Sequence, residues 1–118
     1  MNPPLVFPDD IVEKIHALVA IIPKGKVITY GQLAEKVGHN LTAQDVEVIM
    51  SRVPAKLNLP CHRVVNKTGI LAPDYVFGGH DRQRKLLEEE GVQFMAENRI
   101  DMRHHLWSEQ EQLSLLGS

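Results

Sequence analysis

The sequence has very little cysteine and no long apolar run. Cys61 is the one cysteine among 118 residues, so no disulfide can form within the chain, and a reducing cytoplasm fits this composition. No uninterrupted apolar stretch approaches the roughly 20 residues that a membrane-spanning helix needs. The first residues, 1–5, lack the basic and then apolar layout of a secretory signal. We therefore expect a cytoplasmic protein that does not enter a membrane.

The sequence also lacks an excess of positive charge. It contains 13 Lys and Arg against 15 Asp and Glu, which gives a net charge of −2 and a pI near 6.3. Binding to nucleic acid relies on clustered positive charge at the phosphates. The composition therefore weakens a nucleic-acid function without excluding it, because net charge does not describe how charge is distributed. The six histidines, including His104 and His105, show no ligand spacing with the lone cysteine, so we expect no metal and no cofactor.

The length of the whole chain, 118 residues, fits a single domain. Apolar residues recur at helical spacing through its first half. They predict a first helix over residues 9–22. A second helix is predicted over residues 30–37, with Thr29 as its N-cap. A third helix should open at Thr42, with Asp45 three residues later in a pattern typical of a capping box. Two short helices around a glycine-containing turn make a helix-turn-helix candidate.

The second half of the chain predicts shorter elements. Residues 63–65 and 70–71 flank a turn that ends in Gly69, which predicts a β-hairpin with a left-handed glycine. Residues 81–90 predict a charged helix that Gly91 closes. We expect three segments in all: a lead-in over residues 1–8, one domain over residues 9–107 and a tail over residues 108–118. The spacing of Ser108 and Glu111 predicts a short helix in that tail.

The residues around Cys61 are the one place where the sequence concentrates the parts of a reactive site. His62 and Arg63 follow the cysteine directly, and an apolar run comes next. A thiol acts as a nucleophile in its thiolate form, and neighbouring cationic or histidine groups favour that form. A lone cysteine is nevertheless most often a small buried apolar side chain. The Cys-His pair alone therefore favours the structural interpretation.

A longer pattern changes that balance. The stretch Pro60-Cys61-His62-Arg63-Val64-Val65 resembles the active-site signature of the O6-alkylguanine-DNA alkyltransferases. Upstream, residues 22–34 resemble the entry of that family into its helix-turn-helix. Downstream, Gly69, the Gly78-Gly79 pair and residues 86–92 are similar to further family features, and the likeness runs in order from about Ile11 to Val92. The resemblance implies an α/β fold in one small domain: a winged-helix-like DNA-binding module with a helix-turn-helix and a short β-hairpin.

The resemblance also implies a chemistry and a partner. In the family the cysteine attacks the alkyl carbon on guanine O6 and keeps the alkyl group, so each protein molecule reacts once. The base must be flipped out of double-stranded DNA to reach the thiol. Cys61 matches this nucleophile, His62 matches the residue that takes the thiol proton through water, and Glu90 matches the glutamate that orients the histidine. This arrangement follows the logic of a catalytic triad. By itself, Glu90 at the end of three consecutive glutamates is equally typical of a solvated helix end.

Further positions match residues that hold the DNA and the lesion in the family. Tyr30, Thr42, Gln44 and Arg63 are the DNA-binding candidates. Tyr30 matches a tyrosine that helps to rotate the nucleotide, although a half-buried aromatic residue at a helix start is an equally good interpretation. Arg63 matches the arginine after the histidine, which we expect chiefly to hold the active-site loop. Tyr75 and Gly79 are the candidates for the lesion pocket, in a loop whose length differs by about one residue.

Three departures from the family pattern lie at functional positions. Gln44 stands where the family has an arginine that replaces the flipped base in the stack. Asp45, Glu47 and Val48 stand where the family has small residues, and each carboxylate would repel phosphate by about 1 kcal/mol at a wet interface. Val53 stands where the family has an asparagine that fixes the active-site loop. These changes predict weakened or altered DNA binding and leave the thiol itself untouched.

Residues 82–87, 89–94, 99–102 and 106–107 in the C-terminal half resemble the small alkyltransferase-like proteins, which usually carry tryptophan or alanine in place of the cysteine and hand the lesion to excision repair. Three hypotheses follow. The first is a repair protein, monomeric and free of cofactor, whose Cys61 accepts an alkyl group from O6-alkylguanine in double-stranded DNA. The second is a non-catalytic lesion sensor with nucleotide excision repair proteins as partners. The third is a diverged relative without a DNA function, which the residues Gln44, Asp45, Glu47 and Val53 favour.

Overall fold

The computed structural model describes residues 6–71, 80–96 and 99–116. The helices and strands, in chain order, are α1 (Asp9–Ala20), β1 (Ile28–Thr29), α2 (Tyr30–Val37), α3 (Ala43–Ser51), β2 (Val64–Val65), α4 (His80–Glu89), β3 (Phe94–Ala96), β4 (Arg99–Ile100), α5 (Met102–His105) and α6 (Glu109–Leu116). Two single turns of 3-10 helix, Ala55–Leu57 and Cys61–Arg63, lie between α3 and β2. Within the described ranges, no helix is both long and apolar enough to cross a bilayer.

Helices α2 and α3 form the predicted helix-turn-helix, and each begins with a capping box. The Thr29 hydroxyl accepts a hydrogen bond from the Gln32 amide at 3.0 Å. The Thr42 hydroxyl accepts one from the Asp45 amide at 3.1 Å, and the Asp45 carboxylate accepts one from the Thr42 amide at 3.0 Å. Both predicted N-caps are therefore confirmed. They satisfy amide groups that have no partner inside the helix.

Helix α1 is shorter than the sequence predicted. It ends at Ala20, whereas the apolar spacing predicted an end at Ile22. The physical reason is Pro23, because proline disfavours the helical conformation at the residue before it. The amides of Ile21 and Ile22 bond to carbonyls three residues back, which tightens the last turn. Ile22 thereby leaves its carbonyl free of the helix, and the candidate site uses that carbonyl.

The predicted hairpin over residues 63–71 is wrong, although its glycine is correctly predicted. Strand β2 pairs in parallel with β1, with Ile28 opposite Val64, and Ile70 instead forms a bridge with Arg99. Both residues of β2 are buried, as is typical of strands covered on both faces, whereas Ile70 is 42% exposed. Gly69 has the expected left-handed conformation, with φ +77°. The hairpin of this fold is formed by β3 and β4, which pair antiparallel.

The C-terminal helices agree closely with the sequence prediction. Helix α4 begins and ends within one residue of the predicted bounds, and Gly91 follows it with φ +91°. Helix α6 lies in the predicted tail, capped by Ser108 and Glu111 through two reciprocal bonds of 3.1 Å. Just before this tail the chain is anchored in the core, because the Trp107 amide donates to the Val27 carbonyl at 2.8 Å and the Trp107 side chain is buried.

Two groups of buried apolar side chains make up the core. The first, which joins α1, α2, α3 and Trp107, contains Ile11, Ile15, Val19, Ile22, Ile28, Leu33, Ala34, Val46, Ile49, Met50, Val64 and Trp107. The second, which joins α4 to the hairpin, contains Val27, Val65, Leu71, Leu87, Val92 and Ile100. Strand β2 contributes Val64 to the first group and Val65 to the second. The turn that carries Cys61 leads directly into β2, so its position is fixed by both parts of the core.

Candidate functional site

Cys61 lies on a tight turn that the backbone holds from both ends. The Cys61 amide donates to the Leu59 carbonyl at 2.8 Å, and the Arg63 amide donates to the Pro60 carbonyl at 3.0 Å. The next two residues are β2, which is buried. The Cys61 side chain is partly buried and packs against the first core group. The fold therefore presents this thiol in a fixed position at the edge of the core.

A cleft of about 500 Å³ opens beside the thiol. Its walls come from the end of α3, the loop that follows, the Cys61 turn and α4. The cleft is lined by Met50, Ser51, Val53, Pro54, Ala55, Asn58, Leu59, Cys61, His62, Arg82 and Leu86. Most of these side chains are apolar or small. A cleft of this size with few polar groups fits a flat, partly apolar ligand such as a nucleobase with an alkyl substituent.

His62, the residue after Cys61, contacts Glu90, although 28 positions separate His62 and Glu90 in sequence. The Nε2 atom of His62 lies 3.0 Å from Oε2 of Glu90. The histidine side chain is 15% exposed and the glutamate side chain 11% exposed. Because a carboxylate only accepts hydrogen bonds, Nε2 carries the hydrogen of this pair. In the neutral ring the basic nitrogen is then Nδ1, so Glu90 sets which nitrogen of His62 can take a proton.

Arg63 holds Glu90 in place. Its Nε donates to Oε1 of Glu90 at 2.9 Å, and its Nη2 donates to Oε2 of the same carboxylate. Its Nη1 donates to the Ile22 carbonyl at 2.7 Å, the group that the early end of α1 leaves available. This two-point contact between guanidinium and carboxylate is the strong, directional kind. The buried, engaged guanidinium fits the expected loop-holding role and does not fit direct contact with DNA.

The electrostatics of this site differ between its acid and its thiol. Burial alone would raise the pKa of Glu90, but the hydrogen bonds and charges of Arg63 and His62 outweigh it and hold that pKa below its usual value. Burial raises the pKa of the Cys61 thiol, with partial opposition from its own backbone amide. At neutral pH, Glu90 is therefore ionised while Cys61 is mostly a thiol. A reaction at Cys61 needs a base to remove the proton.

A residue that sequence reasoning missed supports the Cys61 turn from α4. Gln83 is 1% exposed, and its side-chain Nε2 donates to the His62 carbonyl at 3.1 Å. The sequence does contain a signal for it. Gln83 lies four residues before the buried Leu87, so it occupies the apolar face of α4. A polar residue on such a face is expected to have a specific partner.

The DNA-binding candidates other than Arg63 lie at the starts of α2 and α3. Tyr30 begins α2 and is half-buried. Its burial and the nearby Glu47 and Cys61 raise the pKa of its hydroxyl to about 12, so this hydroxyl remains a donor at every physiological pH. Thr42 and Gln44 are exposed at the start of α3, and Glu47 is exposed one turn later. Tyr75 and Gly79, the lesion-pocket candidates, lie outside the described residues.

Comparison with known proteins agrees with this geometry. The family described as 6-O-methylguanine DNA methyltransferase, DNA binding domain, matches residues 10–92. Alkyltransferase-like protein 1 of Schizosaccharomyces pombe is 33% identical over 103 residues, covering 84% of this chain and 95% of the relative. The DNA base-flipping protein of Escherichia coli is 35% identical over 103 residues, covering 85% of this chain and 76% of the relative.

Solved structures give the same result. S. pombe Atl1 in complex with damaged DNA containing O6-carboxymethylguanine superposes with a TM-score of 0.75 at 31% identity, covering 87% of this chain and 99% of that one. Mycobacterium tuberculosis OGT in complex with DNA superposes with a TM-score of 0.59 at 34% identity, and this chain covers 49% of that protein. The helix-turn-helix, the Cys61 turn and these matches define a DNA-binding domain of the alkyltransferase type. The chain belongs to the O6-methylguanine-DNA methyltransferase family.

Proposed function

We propose that this protein binds O6-alkylguanine in double-stranded DNA with the damaged base flipped out, and that Cys61 accepts the alkyl group. The observation that carries the proposal is the position of the thiol. Cys61 lines an apolar cleft next to His62, whose Nε2 is bonded to Glu90 at 3.0 Å. A nucleophile, a base and a group that orients the base are the parts that alkyl transfer to sulfur requires.

The transfer follows from the state of each group. The Cys61 thiol gives its proton to Nδ1 of His62 through water, as the resemblance implies, and becomes a thiolate. The thiolate attacks the alkyl carbon, a sulfur–carbon bond forms, and the bond from that carbon to guanine O6 breaks. The guanine leaves with the electron pair of the broken bond and takes back one proton. The product is a thioether, so the protein is consumed in one turnover.

Base flipping is supported by the depth of the thiol and by the relatives. A partly buried thiol in the wall of a cleft cannot reach a base that is stacked inside a duplex. Two of the relatives are named for base flipping or for alkyltransferase likeness, and solved relatives hold DNA.

The single thiol would remain reduced in the cytoplasm, which is where we propose that the protein acts.

Intact mass measurement after incubation with O6-benzylguanine tests the transfer. We expect the mass of the protein to rise by one benzyl group, and peptide mapping to locate the group on Cys61. The Cys61→Ala variant provides the control and should show no increase. An unmodified wild-type protein after prolonged incubation at high excess would contradict the transfer step.

A second candidate function, lesion sensing without transfer, is favoured by one specific observation. Burial raises the pKa of Cys61, which lowers the thiolate fraction that could accept an alkyl group. In this case the protein would mark the lesion and nucleotide excision repair proteins would complete the repair. A gel-shift on duplexes with and without one O6-methylguanine, at low and moderate salt, tests this candidate.

The outcomes of the gel-shift separate the hypotheses. Lesion-selective binding that survives Cys61→Ala, together with no benzyl adduct, would favour the sensor. Lesion-selective binding together with an adduct would favour the transferase. Equal affinity for damaged and undamaged duplexes would reject the sensor. No binding to any duplex even at low salt would contradict both functions and favour a diverged relative whose helix-turn-helix no longer binds DNA.

A further inference from the structure

His105, at the end of α5, makes two hydrogen bonds that determine the protonation state of its ring. Its Nδ1 lies 3.0 Å from the Gly25 carbonyl oxygen, and its Nε2 lies 3.1 Å from the Gln93 amide nitrogen. A carbonyl oxygen only accepts and a backbone amide only donates. Nδ1 therefore carries the hydrogen and Nε2 accepts. This arrangement requires a neutral ring in one tautomer.

The two segments that His105 joins are the same two that Arg63 joins. Arg63 bridges the Ile22 carbonyl and the Glu90 carboxylate. His105 bridges Gly25 and Gln93, each three positions further along its segment. The two segments also lie against each other between these bridges, because a Cβ atom on Gly25 would come within 3.3 Å of the Glu90 carbonyl oxygen. The turn after α4 is thus fixed to the loop after α1 at two points.

The charged groups around His105 come from each element that it contacts. On its own segment, Asp101 interacts electrostatically with it and the His104 ring lies 6.5 Å away. On the loop after α1, the ammonium group of Lys26 pairs with Glu111 at 3.2 Å. On the turn after α4, the Glu90 carboxylate is engaged by Arg63 and His62. The two hydrogen bonds to backbone groups thus remain the direct constraints on the His105 ring.

We propose that His105 is a positioning residue for the Cys61 site, which it serves in its neutral form by fixing the turn that carries Glu90. A second ring proton would place an N–H of His105 against the Gln93 N–H, two donors facing each other, and would release the turn. Glu90 would then hold His62 less firmly. The proposal rests on the proposed function, because the geometry of His62 has a consequence only if Cys61 reacts with a lesion or contacts it.

Nuclear magnetic resonance of the histidine ring nitrogens tests the proposal without DNA. In the wild-type protein at neutral pH, the His105 ring should carry its hydrogen on Nδ1 and the His62 ring on Nε2, as their contacts require. His105→Gln keeps a donor and an acceptor, so it should preserve the His62 tautomer. His105→Phe keeps a ring but neither hydrogen bond, so it should mix the two tautomers of His62.

Alkyl transfer supplies the second readout. With O6-benzylguanine at neutral pH, His105→Gln should retain the wild-type rate, whereas His105→Phe and His105→Ala remove both hydrogen bonds and should lower it. A single His62 tautomer in His105→Phe, or a wild-type His105 ring with its hydrogen on Nε2, would overturn the positioning role, and the second outcome does not depend on the folding of any variant. A wild-type protein that forms no adduct would contradict the transfer function instead, and the ring-nitrogen spectra would still decide the role of His105.

Discussion

The Cys61 side of the molecule and the exposed side of α3 differ in how their charges are placed. On the Cys61 side, the carboxylate of Glu90 is 11% exposed and binds both Arg63 and His62. On α3, Glu47 is exposed and Gln44 offers no positive charge. The first region holds charge inside the protein, where each group has a partner. The second presents negative charge on the surface where a helix-turn-helix would meet phosphate.

This difference separates chemistry from affinity. Buried, paired groups set the geometry and the protonation states of a reactive site, and solvent or salt changes them little. Exposed charges on a DNA-facing helix chiefly set the strength and the salt dependence of binding. A protein can therefore retain the buried groups of its reactive site while substitutions change the exposed charges that set its affinity for DNA. The five predictions below test whether the two regions are as independent as this comparison implies.

Removal of the buried carboxylate should have the largest effect. Glu90→Ala leaves the Arg63 guanidinium, itself 11% exposed, without its partner inside the protein. Breaking a buried pair in this way costs about 3–5 kcal/mol in the free energy of unfolding, and the loss of the contact with His62 should also abolish the alkyl transfer that we propose. Urea denaturation at neutral pH measures the first effect. Glu89→Ala, at the exposed neighbouring position, should change the free energy of unfolding by less than about 0.5 kcal/mol.

Acid should produce a related effect in the unmodified protein. The folded pKa of Glu90 lies below its usual value, so its contribution to stability is fully present above the unfolded pKa and is lost as the pH falls through the folded pKa. The acid limb of the stability curve should therefore be shallower in Glu90→Gln than in the wild type. Parallel acid limbs for the two proteins would show that Glu90 is not held as the structure indicates.

The next largest effect should be seen in the reactivity of the Cys61 thiol toward a simple alkylating reagent. Burial raises the pKa of Cys61, so the thiolate fraction is small at neutral pH. Labelling by iodoacetamide should be slower than for the same cysteine in the urea-unfolded chain and should rise by about tenfold per pH unit up to pH 9 or beyond. The same raised pKa affects stability. The free energy of unfolding should fall as the pH rises through the pKa of the unfolded cysteine, because the unfolded chain loses the thiol proton more readily. Labelling at neutral pH as fast as in the unfolded chain would mean that the site stabilises the thiolate.

Local sequence signals predicted the elements of this fold well because those elements depend on short-range physics. The capping boxes at Thr29 and Thr42, the left-handed Gly69 and the helix that Gly91 closes all follow from residues within four positions of each other. The hairpin error has the opposite cause. Strand β2 pairs with β1, from which it is separated by two helices, and no local pattern reports that partner.

The candidate site shows the same division. The resemblance led to His62 and Glu90, whose 3.0 Å contact spans 28 positions. Neither composition nor periodicity would have paired them. Gln83 and the Ile22 carbonyl were missed because their roles depend on where α4 and the end of α1 lie relative to the Cys61 turn. Such contacts depend on tertiary packing rather than on residue type.

The fourth prediction concerns the start of α3. The Thr42 hydroxyl caps this helix through the Asp45 amide at 3.1 Å. Thr42→Ala should lower the free energy of unfolding by about 1 kcal/mol, the usual loss on removing an N-cap oxygen. Thr42→Ser keeps the oxygen and should remain near the wild-type value. The loss of DNA affinity in the alanine variant, expressed as a free energy, should not exceed its loss in the free energy of unfolding. If alanine and serine behave alike in urea denaturation, the hydroxyl contributes no cap.

The smallest expected effect reports on the exposed side of α3 alone. Glu47→Gln removes one negative charge near Tyr30, whose hydroxyl pKa is raised in part by the charge of Glu47. The change leaves the buried groups around Glu90 in place. Relief of one repulsion from phosphate should tighten duplex binding by about two- to fivefold at low salt, with a smaller gain at high salt because ions screen exposed charges. Glu13→Gln, the same change at an exposed position of α1, is the charge-matched control. A gain at Glu47 that exceeds the gain at Glu13, without a change in the rate of Cys61 labelling, would support independent control of binding and chemistry. If Glu47→Gln instead altered labelling as strongly as binding, then Tyr30 would couple the two regions, and the acidic character of α3 would belong to the reactive site as well as to the DNA surface.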